Sequence, residues 1–386
     1  MRILAVLLLA PMLLVSIHVP AQAQVPEPDP HTETALRVLT TTPLIDGHND
    51  LPWQFRNYEP APMDVAAYGV KEREEGHTDI RRLREGRVGG QFWSVYVPSA
   101  AIETGAARYQ LEQIDVTLEL FRQFPEHFEL ALTAEDVMRI FQAGKIASLL
   151  GMEGGHAIEN SLGSLRAFYE LGARYLTLTH SAQLDWADAS PPGQQAIGGL
   201  TEFGREVVRE MNRMGMLVDL SHVSDAVMSQ AMDVSEAPVI FSHSSVRALR
   251  DHHRNVPDSI LRRLPERGGV IMITFVPQFL TDRGEATIDD VVAHIEHARA
   301  VAGVDHVGIG GDYDGIETVP VGLEDVSTYP ALFAELSRRG WSESDLRKLA
   351  GENVLRVMRD AEGVARRLQS ERPPSTATIE ELDGGR

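Results

Sequence analysis

The sequence predicts an α/β chain of the (β/α)8 barrel class, and three observations carry that prediction. Eight short apolar runs of strand length recur between residues 44 and 310. Amphipathic segments of helical period lie between them. Six of the eight runs end on a histidine or an acid at nearly the same offset, where a barrel of this class gathers its chemistry. An open, doubly wound sheet is the alternative, weakened because no Gly-rich phosphate loop follows the first run.

The elements follow in chain order. Residues 1–23 read as a secretory signal peptide: one basic residue, an apolar stretch broken by Pro11, then Ala-Gln-Ala before the expected cleavage near Ala23. That stretch is short for a spanning helix. Residues 24–34, "QVPEPDPHTET", are expected to form a flexible lead-in to a barrel domain at 35–370. The first strand is "LID" at 44–46, and an insertion at about 53–90, rich in both charge signs, is expected to fold as a subdomain or lid. Strands follow at 92–97, 146–150, 175–179, 216–220, 238–242, 270–275 and 306–310. Helices are expected at 110–123, 161–171, 201–214, 224–233, 258–266 and 288–302, several opening on Ser, Thr or Asp and closing near Gly. A last helix within 343–368 packs outside the barrel, and 371–386 is a polar tail with no hydrophobic anchor signal.

Composition narrows the function. At 386 residues and 43% hydrophobic, the chain can bury a large core. A net charge of −20 argues against a nucleic-acid surface. There is no cysteine, which excludes disulfides, thiolate metal sites and a lipidated N-terminal cysteine. Any metal must be held by imidazole and carboxylate. Signal and tail together predict an exported chain, secreted or periplasmic, without a stable membrane anchor.

The strand ends supply the candidate site. His48 and Asp50 follow the first strand, Glu153 the third, His180 the fourth, His222 the fifth, His243 the sixth and Asp312 the eighth. Singly, each has a plain structural reading as a cap, a packed residue or a turn. Their common placement on one barrel face does not. His48, Asp50, Glu153, His222 and His243 are too many for one open tetrahedral ion, and they suit two ions sharing a bridging carboxylate, for which Glu153 is the candidate. Two such ions can hold a hydroxide and polarise a carbonyl. Asp312 is then placed to accept a proton from the attacking water and pass it to a leaving amine. His180 is left to support a developing oxyanion or to orient a neighbour. Within "LIDGHNDLP", Gly47 and Pro52 are read as turn residues and Asp46 as a supporting acid.

Seven segments carry a family likeness: "DGHNDLP", "EGGHAI", "YLTLTHSAQLDWADA", "GLTEFGREVVREMNRMGMLVDLSHVS", "PVIFSHSS", "HRNVPD" and "VGIGGDYDGI". From about residue 40 to 360 the chain resembles the membrane (renal-type) dipeptidases and their bacterial relatives, among the metal-dependent amidohydrolase-like barrels. The resemblance implies two Zn²⁺ per chain, one on His48 and Asp50, the other on His222 and His243, bridged by Glu153. It implies that His180 meets the substrate near the scissile carbonyl. Arg254 would pair with the substrate's carboxylate, and Asp312 would lie beside the water and the free amine. It further implies a dipeptide substrate, tolerance of a D-residue at the C-terminal position and slow opening of some β-lactams. Phe275-Val276 stands where the family often has an aromatic pair, and the cysteines of animal members are absent. No disulfide-linked, tethered dimer is implied; the assembly expected, if any, is a homodimer without such links. Two other functions compete. One is a different binuclear metal amidohydrolase, such as an N-acyl amino acid or β-lactam/lactone hydrolase, or a phosphotriesterase or deaminase. Those commonly use His-x-His and a modified lysine, where this chain has His-x-Asp and Glu153. The other is an exported binding protein that has lost its chemistry.

Overall fold

Strand residues alternate between two packed faces, and that alternation builds the barrel. The computed structural model describes residues 29–384, so the expected signal peptide and most of the lead-in lie outside the described residues. Nine strands are present: β1 Leu44–Asn49, β2 Val88–Tyr96, β3 Phe128–Leu130, β4 Ile146–Glu153 and β5 Ala173–Thr177. They continue with β6 Leu217–Asp219, β7 Val239–Ser244, β8 Val270–Ile273 and β9 Val307–Ile309. All pairings are parallel, and β1, β2 and β4–β9 close on themselves through β2–β4 and β1–β9.

Ile45, Phe92, Leu149, Tyr175, Leu217, Ile240 and Met272 share one cluster. Their sequence neighbours Leu44, Trp93, Leu150, Leu176, Val218, Phe241 and Ile271 belong to the other, with the surrounding helices. Period-two alternation therefore runs around the whole barrel. Gly351 packs against Pro43 and Ile45, so the π-helical turn Lys348–Glu352, just before the C-terminal helix Asn353–Glu371, closes the mouth at the strands' N-terminal ends.

The structure differs from the sequence reading in six places, one of them Pro52, which lies in the first turn of the helix Leu51–Arg56. β3 was not expected; it pairs with Ile146–Ser148 of β4, below Leu150 where β5 joins. Gly47 is not in a turn. It lies inside β1, where a Cβ would stand 2.4 Å from Ser242 O and 2.6 Å from Met272 Sδ. The end of the lead-in is helical, because Asp29 caps the helix Pro30–Thr41 and Ala35, Val38 and Leu39 are buried. The expected helix at 258–266 is two short ones, Asp258–Leu261 and Leu264–Arg267, with Pro265 opening the second. The polar tail contains the helix Ile379–Asp383, which carries a capping box from Thr378 and Glu381.

The insertion is knitted into the main core through Val65, Val70, Ile80 and Leu83. Asn49 Nδ2 donates to Thr78 Oγ1, and Asp314 N–H donates to His77 Nδ1. No helix among the described residues is long and apolar enough to cross a membrane.

Candidate metal centre

The carboxyl ends of the strands deliver every predicted site residue to one place. His48 and His243 lie in β1 and β7, and Glu153 is the last residue of β4. Asp50, His180, His222 and Asp312 sit within three residues after β1, β5, β6 and β9, and Arg254 stands on the loop after β7. His222 and Asp312 hold φ of 68° and 65°, a left-handed backbone that turns each side chain back over the barrel mouth. Seven of these residues line a cavity of about 290 Å³. His48 is fully buried behind this lining, within reach of Asp50 and Glu153.

Ring nitrogens and carboxylates converge at short range. His222 Nε2 and His243 Nε2 lie 2.9 Å apart, and both face Glu153 Oε1, at 3.0 and 3.3 Å. Glu153 Oε2 faces the other way, 3.7 Å from His48 Nε2. His48 Nε2 is also 3.2 Å from Asp50 Oδ2 and 3.9 Å from Asp312 Oδ1. His180 Nε2 is 4.0 Å from Glu153 Oε1, beside the His222 ring.

Behind the ligand atoms, hydrogen bonds fix which nitrogen points inward. Tyr175 Oη donates to Gly47 O at 3.2 Å and so accepts from His48 Nδ1 at 2.9 Å. Ser242 Oγ donates to Asp219 Oδ2 at 2.6 Å and so accepts from His243 Nδ1 at 2.8 Å. In the neutral ring each arrangement leaves the Nε2 lone pair aimed at the cavity. Asp219 further accepts from Thr177 Oγ1, Ser221 N–H and Ser242 N–H. Asp46 accepts from His48 N–H, Gly311 N–H and Tyr329 Oη, so it braces β1 against β9, as the supporting role required. Tyr175, Asp219, Ser242 and Tyr329 were not singled out from sequence: the first three lie inside segments that carry the family likeness but were given no role there, and Tyr329 lies outside them.

The electrostatics divide the site. Burial opposes a charge on His48, but Asp50, Glu153 and Asp312 outweigh it and raise its pKa to about 10. Burial raises Glu153 to about 8 and Asp312 to about 7, with Asp50 adding to both and His48 opposing. Burial and the nearby Arg254 charge lower His180 to about 3 and hold His222 well below its usual value. His243 is held down in the same way by burial, His48 and Arg254. A buried imidazole nitrogen with no hydrogen-bond partner, His48 Nε2, and two further imidazole nitrogens 2.9 Å apart around one carboxylate form a donor set suited to a cation. A sulfur-free set of imidazoles and carboxylates fits zinc, manganese, cobalt or iron.

Trp53, Tyr96, Val276, Phe279 and Ile316 complete the cavity wall. None was named as a site residue, though Val276 was noted as a departure in the pocket. An apolar wall has no signature in a single sequence.

Residues 32–372 match the family model described as membrane dipeptidase, peptidase family M19. The solved dipeptidase AC, a metallopeptidase of that family, is 32% identical, with 84% of this chain and 99% of that one covered at a TM-score of 0.77. A metallopeptidase from Rhodobacter sphaeroides, solved with a phosphinate mimic of the dipeptide L-Ala-D-Ala, is 30% identical over 83% of this chain and 99% of that one, at 0.76. The probable dipeptidase PvdM from Pseudomonas aeruginosa shares the fold at 0.79, with 23% identity over 88% of this chain and 100% of that one. Fold, donor set and family agree: the chain belongs to the membrane dipeptidase family, peptidase family M19, and is a metal-dependent dipeptidase.

Proposed function

We propose that the chain is a two-zinc dipeptidase that reads both ends of its substrate and accepts a D-residue at the C-terminal position. The observation that carries this reading is the two-sided placement of Glu153. Oε1 faces His222 and His243, and Oε2 faces His48, which lies beside Asp50. His48 and Asp50 would hold one ion, His222 and His243 the other, with Glu153 shared. Ions held there supply a Lewis acid toward the scissile carbonyl and a water activated near neutral pH.

The chain's own residues do the rest. Arg254 keeps Nε and Nη1 buried and unpartnered in the cavity wall, a fork matched to the dipeptide's carboxylate. His180 stays neutral and can donate a hydrogen bond to the carbonyl oxygen as charge grows there. Asp312, which lines the cavity beside His48, can take a proton from the water and return it to the departing amine. A longer peptide would leave the Arg254 fork without a carboxylate, which costs affinity.

The test is metal analysis of the purified protein together with a dipeptide panel. Two equivalents of zinc, turnover of L-Ala-L-Ala and L-Ala-D-Ala, loss with chelator and recovery with zinc are expected. Equal rates on tripeptides or N-acyl amino acids, or one ion at full activity, would refute the reading.

A further inference from the structure

We infer that Asn255 is a positioning residue that fixes the Arg254 fork by strapping its loop to the short helix Pro277–Leu280. The inference rests on the reading that Arg254 takes the substrate's carboxylate.

Arg254 presents a mechanical problem. Its side chain is 4% exposed and makes one hydrogen bond, from Nη2 to His243 O at 3.2 Å. A flexible arginine held by one bond has no fixed fork. Its surroundings supply what the side chain lacks. The guanidinium carbon lies 5.3 Å from the centre of the Phe279 ring. The His252 ring packs against that same ring, tilted by 31° at 4.5 Å between centres, and its Nδ1 accepts the backbone N–H of Arg254 at 3.2 Å. Both ends of Arg254 are thus referred to one aromatic ring.

The position of that ring is set by Asn255, which is wholly buried. Its Nδ2 donates to Phe279 O at 2.8 Å and to Arg250 O at 2.9 Å. Two carbonyls can be satisfied only by the NH2 end, so the amide orientation is not in question. Both amide hydrogens go to holding two backbone segments together, and no motif for catalysis or metal binding uses them.

The test compares Asn255→Ala with the parent enzyme at full metal content. For free dipeptides, KM should rise on the order of tenfold to a hundredfold while kcat stays within about threefold. The same dipeptide with an amidated C-terminus, measured as a competitor so that no turnover is needed, should bind both enzymes equally. Asn255→Asp keeps the shape without the amide donors, and it gives the same comparison if the alanine variant does not fold. An equal loss for free and amidated ligands, or a fall in kcat at constant KM, would overturn the inference. Arg254→Met separates the two claims. If that variant binds both ligands as the parent does, the carboxylate reading is wrong. If it loses only the free dipeptide while the Asn255 variants do not, the positioning role alone is wrong.

Discussion

His48 and Glu153 hold protons that a metal must displace, and Asp312 beside them shares their raised range. With pKa values raised to about 10, 8 and 7, the metal-free site is partly protonated at neutral pH. Ligation needs the deprotonated forms, so metal uptake releases protons. Because these values are raised, affinity should climb as pH rises from about 7 to about 10 and then level off. His222 and His243 are already neutral and contribute nothing to the release. Calorimetry of zinc binding at pH 7 in two buffers of different protonation enthalpy should show one or more protons released per chain; none would contradict this electrostatic account. The same residues show what could be read from sequence. Strand-end position marked seven site residues, because a polar side chain closing an apolar run is visible along the chain. Arg254 was nameable only through the family likeness, since its loop is polar throughout. Tyr175 and Asp219 acquire meaning only once the barrel closes and brings β5 and β6 beside β1 and β7.

At the scale of elements, the eight barrel strands and most helices follow from periodicity, while ends and short pieces do not. β3 has three residues, too few for alternation to show. The tail helix was read as polar tail, yet Thr378 and Glu381 already spelled a capping box. This helix has a task. Asp383 Oδ1 accepts from Glu202 N–H at 3.1 Å, placing a carboxylate at the start of the helix Glu202–Met214, which Thr201 also caps. Nearby, Arg166 Nη1 donates to Ser375 O, and Ser375 N–H donates to the buried Glu210. Asp383→Ala should therefore lower stability by about 0.5–2 kcal/mol, and truncation after Glu371 should lower it further. Urea midpoints are the measurement, and an unchanged midpoint for the truncated chain would show that the tail only rests on the surface. Glycine acts on the same scale. A Cβ on Gly310 would stand 1.9 Å from Ser242 O, so Gly310→Ala should cost roughly 1–3 kcal/mol or more by forcing β9 away from β7, again read from the urea midpoint.

For the whole molecule, closure was foreseeable because strands alternating with helices have few arrangements. Where the ring closes was not foreseeable. The β1–β9 contact has a single ladder pair, Asp46 with Ile309. Beyond it the contact continues as Asp312 N–H to His48 O and Asp50 N–H to Tyr313 O. His48 and Asp50 therefore stand on one lip of the narrowest seam in the barrel, and Asp312 on the other. The centre doubles as a clasp. Ions held by His48 and Asp50 and shared through Glu153 would anchor the lip of that seam supplied by β1 to β4, β6 and β7, so removing them should loosen the ring where it is weakest. Heated after chelation, the protein should lose its capacity to rebind zinc at a lower temperature than it loses far-ultraviolet ellipticity, whereas the loaded protein should lose both together. Coincident loss in the chelated protein would mean the seam holds without its clasp.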